Sequence, residues 1–146
     1  MEGDTNKVYI LDTTLRDGEQ TSGVSFSDAE KLNIAKILLQ DLNVDYIEVA
    51  SARVSEGEYK GATKILDWTS LNGFTDRVEI LGFVDGKTSL EWIDKAGGKV
   101  MNLLAKGSLR HVTQQLKKSP ESHLKDIRNS IQLAQKMGIR VNLYLE

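Results

Sequence analysis

Cysteine is absent from the 146-residue chain, which excludes a disulfide scaffold, a thiolate nucleophile and any Cys-ligated zinc or iron–sulfur centre. A single proline and 12 glycines rule out collagen-like and Pro/Gly-rich disordered chains. The two histidines, His111 and His123, are not at the spacing of paired metal ligands. Both read as ordinary surface histidines. No run approaches the ~18 apolar residues of a membrane span, and the opening stretch Met1–Lys7 has no apolar signal region. Neither sign of charge dominates. Nineteen basic against 21 acidic side chains leave a net charge of −2, so no global basic field points to nucleic acid. Aromatics, at 6%, are too few for a base-stacking platform. What is present is ordinary globular composition, 40% hydrophobic, sufficient for one core. The expectation is a soluble, cytoplasmic domain with no membrane and no nucleic-acid partner.

Five short apolar runs of strand length recur: Val8–Asp12, Val44–Ala50, Val78–Val84, Val100–Ala105 and Val141–Glu146. Each is rich in β-branched or aromatic residues. Helical spacing fills the intervals. Ser27 with Glu30 fits a capping box ahead of Leu32, Ala35, Leu38, Leu39 and Leu42. Further helices are predicted over about Gly57–Leu71, Thr88–Ala96 and from Pro120 to a stop at Gly138. Trp68 and Trp92 fall within these helices and read as core packing. The order β-α-β-α-β-α-β-α-β requires a mainly parallel sheet with right-handed crossovers. Two architectures satisfy it: an open doubly wound sheet, or part of a (β/α)8 barrel. No G-x-G-x-x-G and no G-x-x-x-x-G-K-[ST] is present, so the usual nucleotide fingerprints are missing.

In parallel α/β folds, ligands gather at the carboxyl ends of the strands. Those ends hold Asp12, Arg16 and Asp17, then Glu48 and Ser51, then Asp85, Lys106 and Glu146. In the first loop Gly18 is read as permitting a tight turn, with Arg16 and Asp17 sharing a small volume. Such a pair suits a 2-oxo acid bound to a divalent metal, the carboxylate holding the ion and the guanidinium the substrate or its oxyanion. From Lys95 to Pro120 lie six basic residues and no acidic one. That stretch reads as a solvated helix face, or as a receiver for the phosphates of coenzyme A.

The run Asp12–Gln20, D-T-T-L-R-D-G-E-Q, matches every fixed position of D-x-T-L-R-D-G-x-Q. It resembles the signature of the DRE-TIM metallolyases, the barrel family of 2-isopropylmalate, homocitrate and citramalate synthases and hydroxymethylglutaryl-CoA lyase. The likeness continues through Ile47–Glu58, Ile80–Gly86, Asn102–Ser108 and Val141–Glu146, and is nearest to the (R)-citramalate synthase branch. It implies an α/β fold of parallel β-α repeats, the N-terminal five strands and four helices of a TIM (β/α)8 barrel. Residues 1–146 would then be the N-terminal part of a synthase catalytic domain, because a barrel typically needs ~250 residues.

The resemblance also implies chemistry: an acyltransferase condensing acetyl-CoA with a 2-oxo acid, dependent on Mg²⁺, Mn²⁺ or Zn²⁺, in branched-chain amino-acid biosynthesis. Arg16 and Glu146 match catalytic positions and Asp17 a metal ligand. Arg16, Gln20, Glu48, Leu81, Leu104 and Tyr144 match substrate-binding positions. Bulky groups at 81, 104 and 144 favour pyruvate, giving citramalate. The alternatives are 2-isopropylmalate synthase, homocitrate synthase, a hydroxymethylglutaryl-CoA-lyase-like enzyme, and a non-catalytic open sheet binding an anion or partner. The family's His-x-His metal pair is missing here. Isolated, the 146 residues are expected not to turn over, and their open sheet edges to favour a homodimer or self-association.

Overall fold

The structure, a computed structural model, describes residues 7–146. Four βα units lead to a fifth strand: β1 Leu11–Asp12, α1 Asp28–Lys36, β2 Tyr46–Ser51, α2 Glu56–Asn72, β3 Val78–Phe83, α3 Thr88–Lys95, β4 Val100–Ala105, α4 Pro120–Lys136 and β5 Arg140–Leu145. Every strand pairing is parallel, and the spatial order follows the chain, β1-β2-β3-β4-β5. A doubly wound sheet reverses strand order at a central switch point. This sheet has no such point, and it curls as the wall of a partial (β/α)8 barrel does. The open-sheet alternative is thereby eliminated.

Local chemistry sets the helix bounds. At α1 the Ser27 hydroxyl accepts the Glu30 N–H while the Glu30 carboxylate accepts the Ser27 N–H at 2.8 Å, completing the box. The Ser55 and Ser119 hydroxyls accept the Glu58 and Ser122 N–H groups and so cap α2 and α4, and Pro120 occupies the first turn of α4. α2 closes on Gly73 at φ 76°, the left-handed position that glycine reaches without strain. Two five-residue π-helical turns, Ile37–Asp41 and His111–Gln115, were not legible as such from spacing. β1 is shorter than its apolar run suggests. Val8, Tyr9 and Ile10 run exposed along the sheet edge, although Tyr46 donates to the Ile10 carbonyl at 3.0 Å.

The two faces of the sheet differ sharply in chemistry. Ile47, Val49, Val78, Ile80, Met101 and Leu103 point outward and are buried beneath the helices in one apolar core. Trp68 stacks on Phe74 and Trp92 meets Tyr59 edge-on at its margin. The concave face instead carries Glu48, Glu79, Asn102 and Asn142, one from each of β2 to β5. A bulge in β2, where Glu48 partners Glu79 but Ala50 partners Ile80, advances Ser51 into register with Leu81. Bulges of this kind re-aim side chains near sites. Among the described residues no helix is long and apolar enough to cross a membrane.

Candidate active site on the strand-end rim

The first rim loop is built around one carbonyl. Thr13 O accepts the N–H groups of Arg16, Asp17 and Gly18 at 3.0, 2.8 and 3.1 Å, while Leu15 is buried in the core and anchors the turn. Gly18 is not at positive φ, and a Cβ there would meet Thr14 Cγ2 at an ordinary 3.6 Å. The turn therefore does not require glycine, contrary to the reading from sequence.

Arg16 is oriented from below by Glu48, which is fully buried. Its Nε and Nη2 both lie 2.5 Å from Glu48 Oε2, and Nη1 reaches Asp17 Oδ1 at 3.0 Å. A guanidinium presents five donors in a rigid fork. These contacts use three and leave one N–H on each terminal nitrogen for an incoming carboxylate or oxyanion. The other Glu48 oxygen, Oε1, accepts Asn102 Nδ2 at 2.6 Å. Asn142 Nδ2 in turn donates to Asn102 Oδ1 at 3.2 Å and to Glu79 Oε1 at 2.9 Å. A hydrogen-bonded ladder thus crosses the concave face from Arg16 to Glu79. Glu79 Oε2 has no partner among the described residues, and burial raises its carboxyl above the ordinary carboxylate range. Burial, and then the charges of Glu48 and Glu79, push the Tyr144 phenol up to about 12. Tyr144 is therefore a neutral hydroxyl beside the Arg16–Glu48 pair.

A second buried cation braces this loop. Lys31 on α1 contacts Glu19 Oε2 at 2.5 Å and Glu58 Oε1 at 2.6 Å. Glu19 Oε1 accepts Phe26 N–H, and Glu58 Oε2 accepts the N–H of Ser51 at the end of β2. Burial alone would lower the Lys31 ammonium, but its two carboxylates outweigh that and hold it above its usual value. Gly61 on α2 makes room for this side chain, since a Cβ there would lie 3.3 Å from Lys31 Cδ. Arg16, Gln20, Ser51 and Glu58 line one rim depression.

Glu146 lies on the same rim in a different depression, lined also by Phe83, Leu104, Lys106, Lys118 and His123. Its carboxylate pairs with Lys106 at 2.5 Å, a hydrogen bond that, with the charges of Lys106 and His111, holds it below its ordinary value. Of the residues singled out from sequence, Arg16 contacts both Asp17 and Glu48, and Gln20 lines the same depression as Arg16. Leu104 and Tyr144 are register partners, and alternation sets Leu81 on the same concave face. No contact joins Glu146 to Arg16 or Asp17 among the described residues.

Two readings are corrected. His123 is not a surface histidine: it is 5% exposed, and its Nε2 lies 2.9 Å from the Lys106 carbonyl. His111 is half-buried, with Nδ1 enclosed and unpartnered among the described residues. The basic stretch is not one helix face either, for it runs from the end of α3 through β4 to the loop before α4. Sequence reasoning missed Lys31, Glu79, Asn102 and Asn142. The signal for the last three was a single acid or amide inside an otherwise apolar strand.

A divalent cation takes about four to six ligands. Asp17 is 61% exposed, and only its Oδ1 is engaged by Arg16. No group of three His, Cys, Asp or Glu gathers among the described residues. The described residues therefore gather no three-ligand carboxylate or imidazole cluster around Asp17 and do not by themselves make a complete metal site.

The fold is a sequentially ordered parallel half-barrel that carries a forked guanidinium at its strand-end rim. The HMGL-like family model matches residues 7–146, and the chain belongs to that family, within the DRE-TIM metallolyase superfamily. It is 61% identical over 59 residues to the 2-isopropylmalate synthase of Pyrococcus abyssi, covering 40% of this chain and 12% of that protein. To the (R)-citramalate synthase of Methanocaldococcus jannaschii it is 36% identical over 140 residues, covering 95% of this chain and 27% of that protein. The crystal structure of hydroxymethylglutaryl-CoA lyase from Pseudomonas aeruginosa superposes with a TM-score of 0.71 at 20% identity. It covers 95% of this chain and 46% of that one, a likeness of fold alone. The chain spans 25% to 34% of the length of the curated relatives that align along nearly all of it.

Proposed function

We propose that residues 1–146 are the N-terminal part of the catalytic barrel of an acyltransferase that condenses an acyl-CoA with a 2-oxo acid. The observation carrying this reading is the Arg16 guanidinium, locked by Glu48 beside Asp17 with two N–H groups left at the rim. Those donors would bind the 2-oxo acid and take up charge as its ketone oxygen becomes an alkoxide. The Gln20 amide would meet the substrate from the adjoining turn, and Glu48 would act on it through Arg16. Asp17 would offer one carboxylate oxygen to a divalent cation, and no step is routed through that ion. A base would take a proton from the acetyl methyl, the resulting enolate carbon would attack the keto carbon, the alkoxide would take up a proton, and water would then cleave the thioester to a carboxylate and free coenzyme A. Glu146, ionised against Lys106, would accept a hydrogen bond or proton at the acyl end.

The likeness to 2-isopropylmalate synthases supports 2-oxoisovalerate as the acid. A second reading, pyruvate and citramalate, is favoured by Leu81, Leu104 and Tyr144 on the concave face. One or two methylenes in a hydrophobic pocket are worth only ~1–3 kcal/mol of discrimination, so the two are separated by rates. The test is thiol release from acetyl-CoA by the full-length gene product carrying this chain, with each acid in turn. Faster release with 2-oxoisovalerate, abolished by Arg16→Gln, is the expected result. Faster release with pyruvate establishes the second reading. Cleavage of a 3-hydroxyacyl-CoA without any condensation overturns both.

A further inference from the structure

We infer that Asn102 is a positioning residue for Arg16, acting through Glu48. The inference rests on the reading of Arg16 as the acid receptor and extends it to a residue on β4, three strands from β1. Asn102 is fully buried on the concave face, where an amide is costly unless its polar atoms are bonded. Both ends are engaged: Nδ2 donates to Glu48 Oε1 at 2.6 Å, and Oδ1 accepts Asn142 Nδ2 at 3.2 Å. Its orientation is forced from both sides. Turned over, it would set Oδ1 against the Glu48 carboxylate and its NH₂ against the Asn142 NH₂, two repulsive contacts. Asn142 is fixed in turn, because its Nδ2 spans Asn102 Oδ1 and Glu79 Oε1.

The consequence falls on Glu48. Arg16 holds only Oε2 through Nε and Nη2, so this contact by itself leaves the carboxylate able to turn about its last torsion. Asn102 pins Oε1 and defines the carboxylate plane, and the guanidinium plane follows it. An apolar residue at 102 would fill the space but leave Glu48 half-bonded, and the fork at the rim would lose its fixed aim.

Arg16 Nε–H reports this directly, because its acceptor among the described residues is Glu48 Oε2. In ¹⁵N-labelled chain its solvent exchange is slow when that bond is fixed. Asn102→Ala is expected to speed that exchange about tenfold, the equivalent of one charge-assisted hydrogen bond, while the backbone amides of Ile80 and Leu103 keep their protection. Thr69→Ala, which removes a buried hydroxyl bonded to Leu66 O on α2, controls for a general loss of stability and should leave Arg16 unchanged. If Asn102→Ala does not fold, Asn142→Ala, at a half-buried position, frees the Asn102 amide and should speed the exchange to a smaller extent. Unchanged Arg16 exchange in the folded variant, or an equal rise in Thr69→Ala, overturns the inference. The exchange is read without ligand, so failure of the acid-receptor reading would appear in a 2-oxo acid titration of the unmodified chain instead.

Discussion

Glu48 and Glu79 stand opposite each other as register partners on β2 and β3, both buried on the concave face, and among the described residues Glu48 forms an ion pair while Glu79 does not. Two carboxylates so placed cannot share the ionised state cheaply. Burial raises the Glu79 carboxyl, with the Glu48 charge adding in the same direction, against opposing pulls from Asn102, Asn142 and Arg140. A carboxyl raised in the folded state favours folding while protonated, and that advantage is lost as pH climbs through its folded value. Glu79→Gln keeps the acceptor for Asn142 and removes the charge. Its melting temperature should match the unmodified chain at pH 4 and exceed it at pH 7. Thermal melts across that range decide this, and a variant less stable at pH 7 than at pH 4, relative to the unmodified chain, would contradict it.

Lys31 gives a prediction of opposite sign. Its ammonium is the shared partner of Glu19 and Glu58, so Lys31→Met leaves two largely buried carboxylates facing one another. Breaking a buried pair on one side costs about 3 kcal/mol. Urea unfolding should show that loss, with an unchanged slope against denaturant. The rim loop, tied through Glu19 to Phe26, should show raised amide exchange before the sheet does.

Glycine positions separate structural need from likeness to a motif. At Gly98 a Cβ would lie 2.8 Å from Ile93 Cγ2 and 3.2 Å from the Ile93 carbonyl, and backbone cannot yield as a side-chain tip can. Gly98→Ala should cost ~1–3 kcal/mol as an overpacking change. Gly18→Ala, with nothing nearer than 3.6 Å, should leave stability within about 0.5 kcal/mol. Denaturation of the two variants side by side is the measurement, and the reverse ranking would refute the loop geometry.

The strand and helix order was legible because each apolar run and each cap writes its own local signal. Ser27 with Glu30, Pro120 and Gly138 marked helix ends that the structure retains. The partial barrel rather than an open sheet was legible only through the run Asp12–Gln20, since periodicity is blind to the order in which parallel strands pair. Arg16 with Asp17 was visible as adjacent charges in one short loop. Their controllers were not. Lys31 lies 15 positions from Arg16, and in a helix of charged residues it looks like any exposed lysine. Asn102 and Asn142 acquire meaning only when parallel register sets them side by side with Glu48 and Glu79. The burial of His123 depends on the Lys106 carbonyl meeting α4, a tertiary contact without local precedent.

Arg16, held by Glu48, is expected to receive the carboxylate and the keto oxygen of a 2-oxo acid together, one on each free N–H. Titrating the ¹⁵N-labelled chain with 2-oxoisovalerate, and separately with pyruvate, while following the Arg16 Nε–H resonance tests it most directly. A saturable shift of that resonance, absent when isobutyrate replaces the 2-oxo acid and weakened in Glu48→Gln, is the predicted result. A resonance that neither acid moves, or that isobutyrate moves equally, would contradict it.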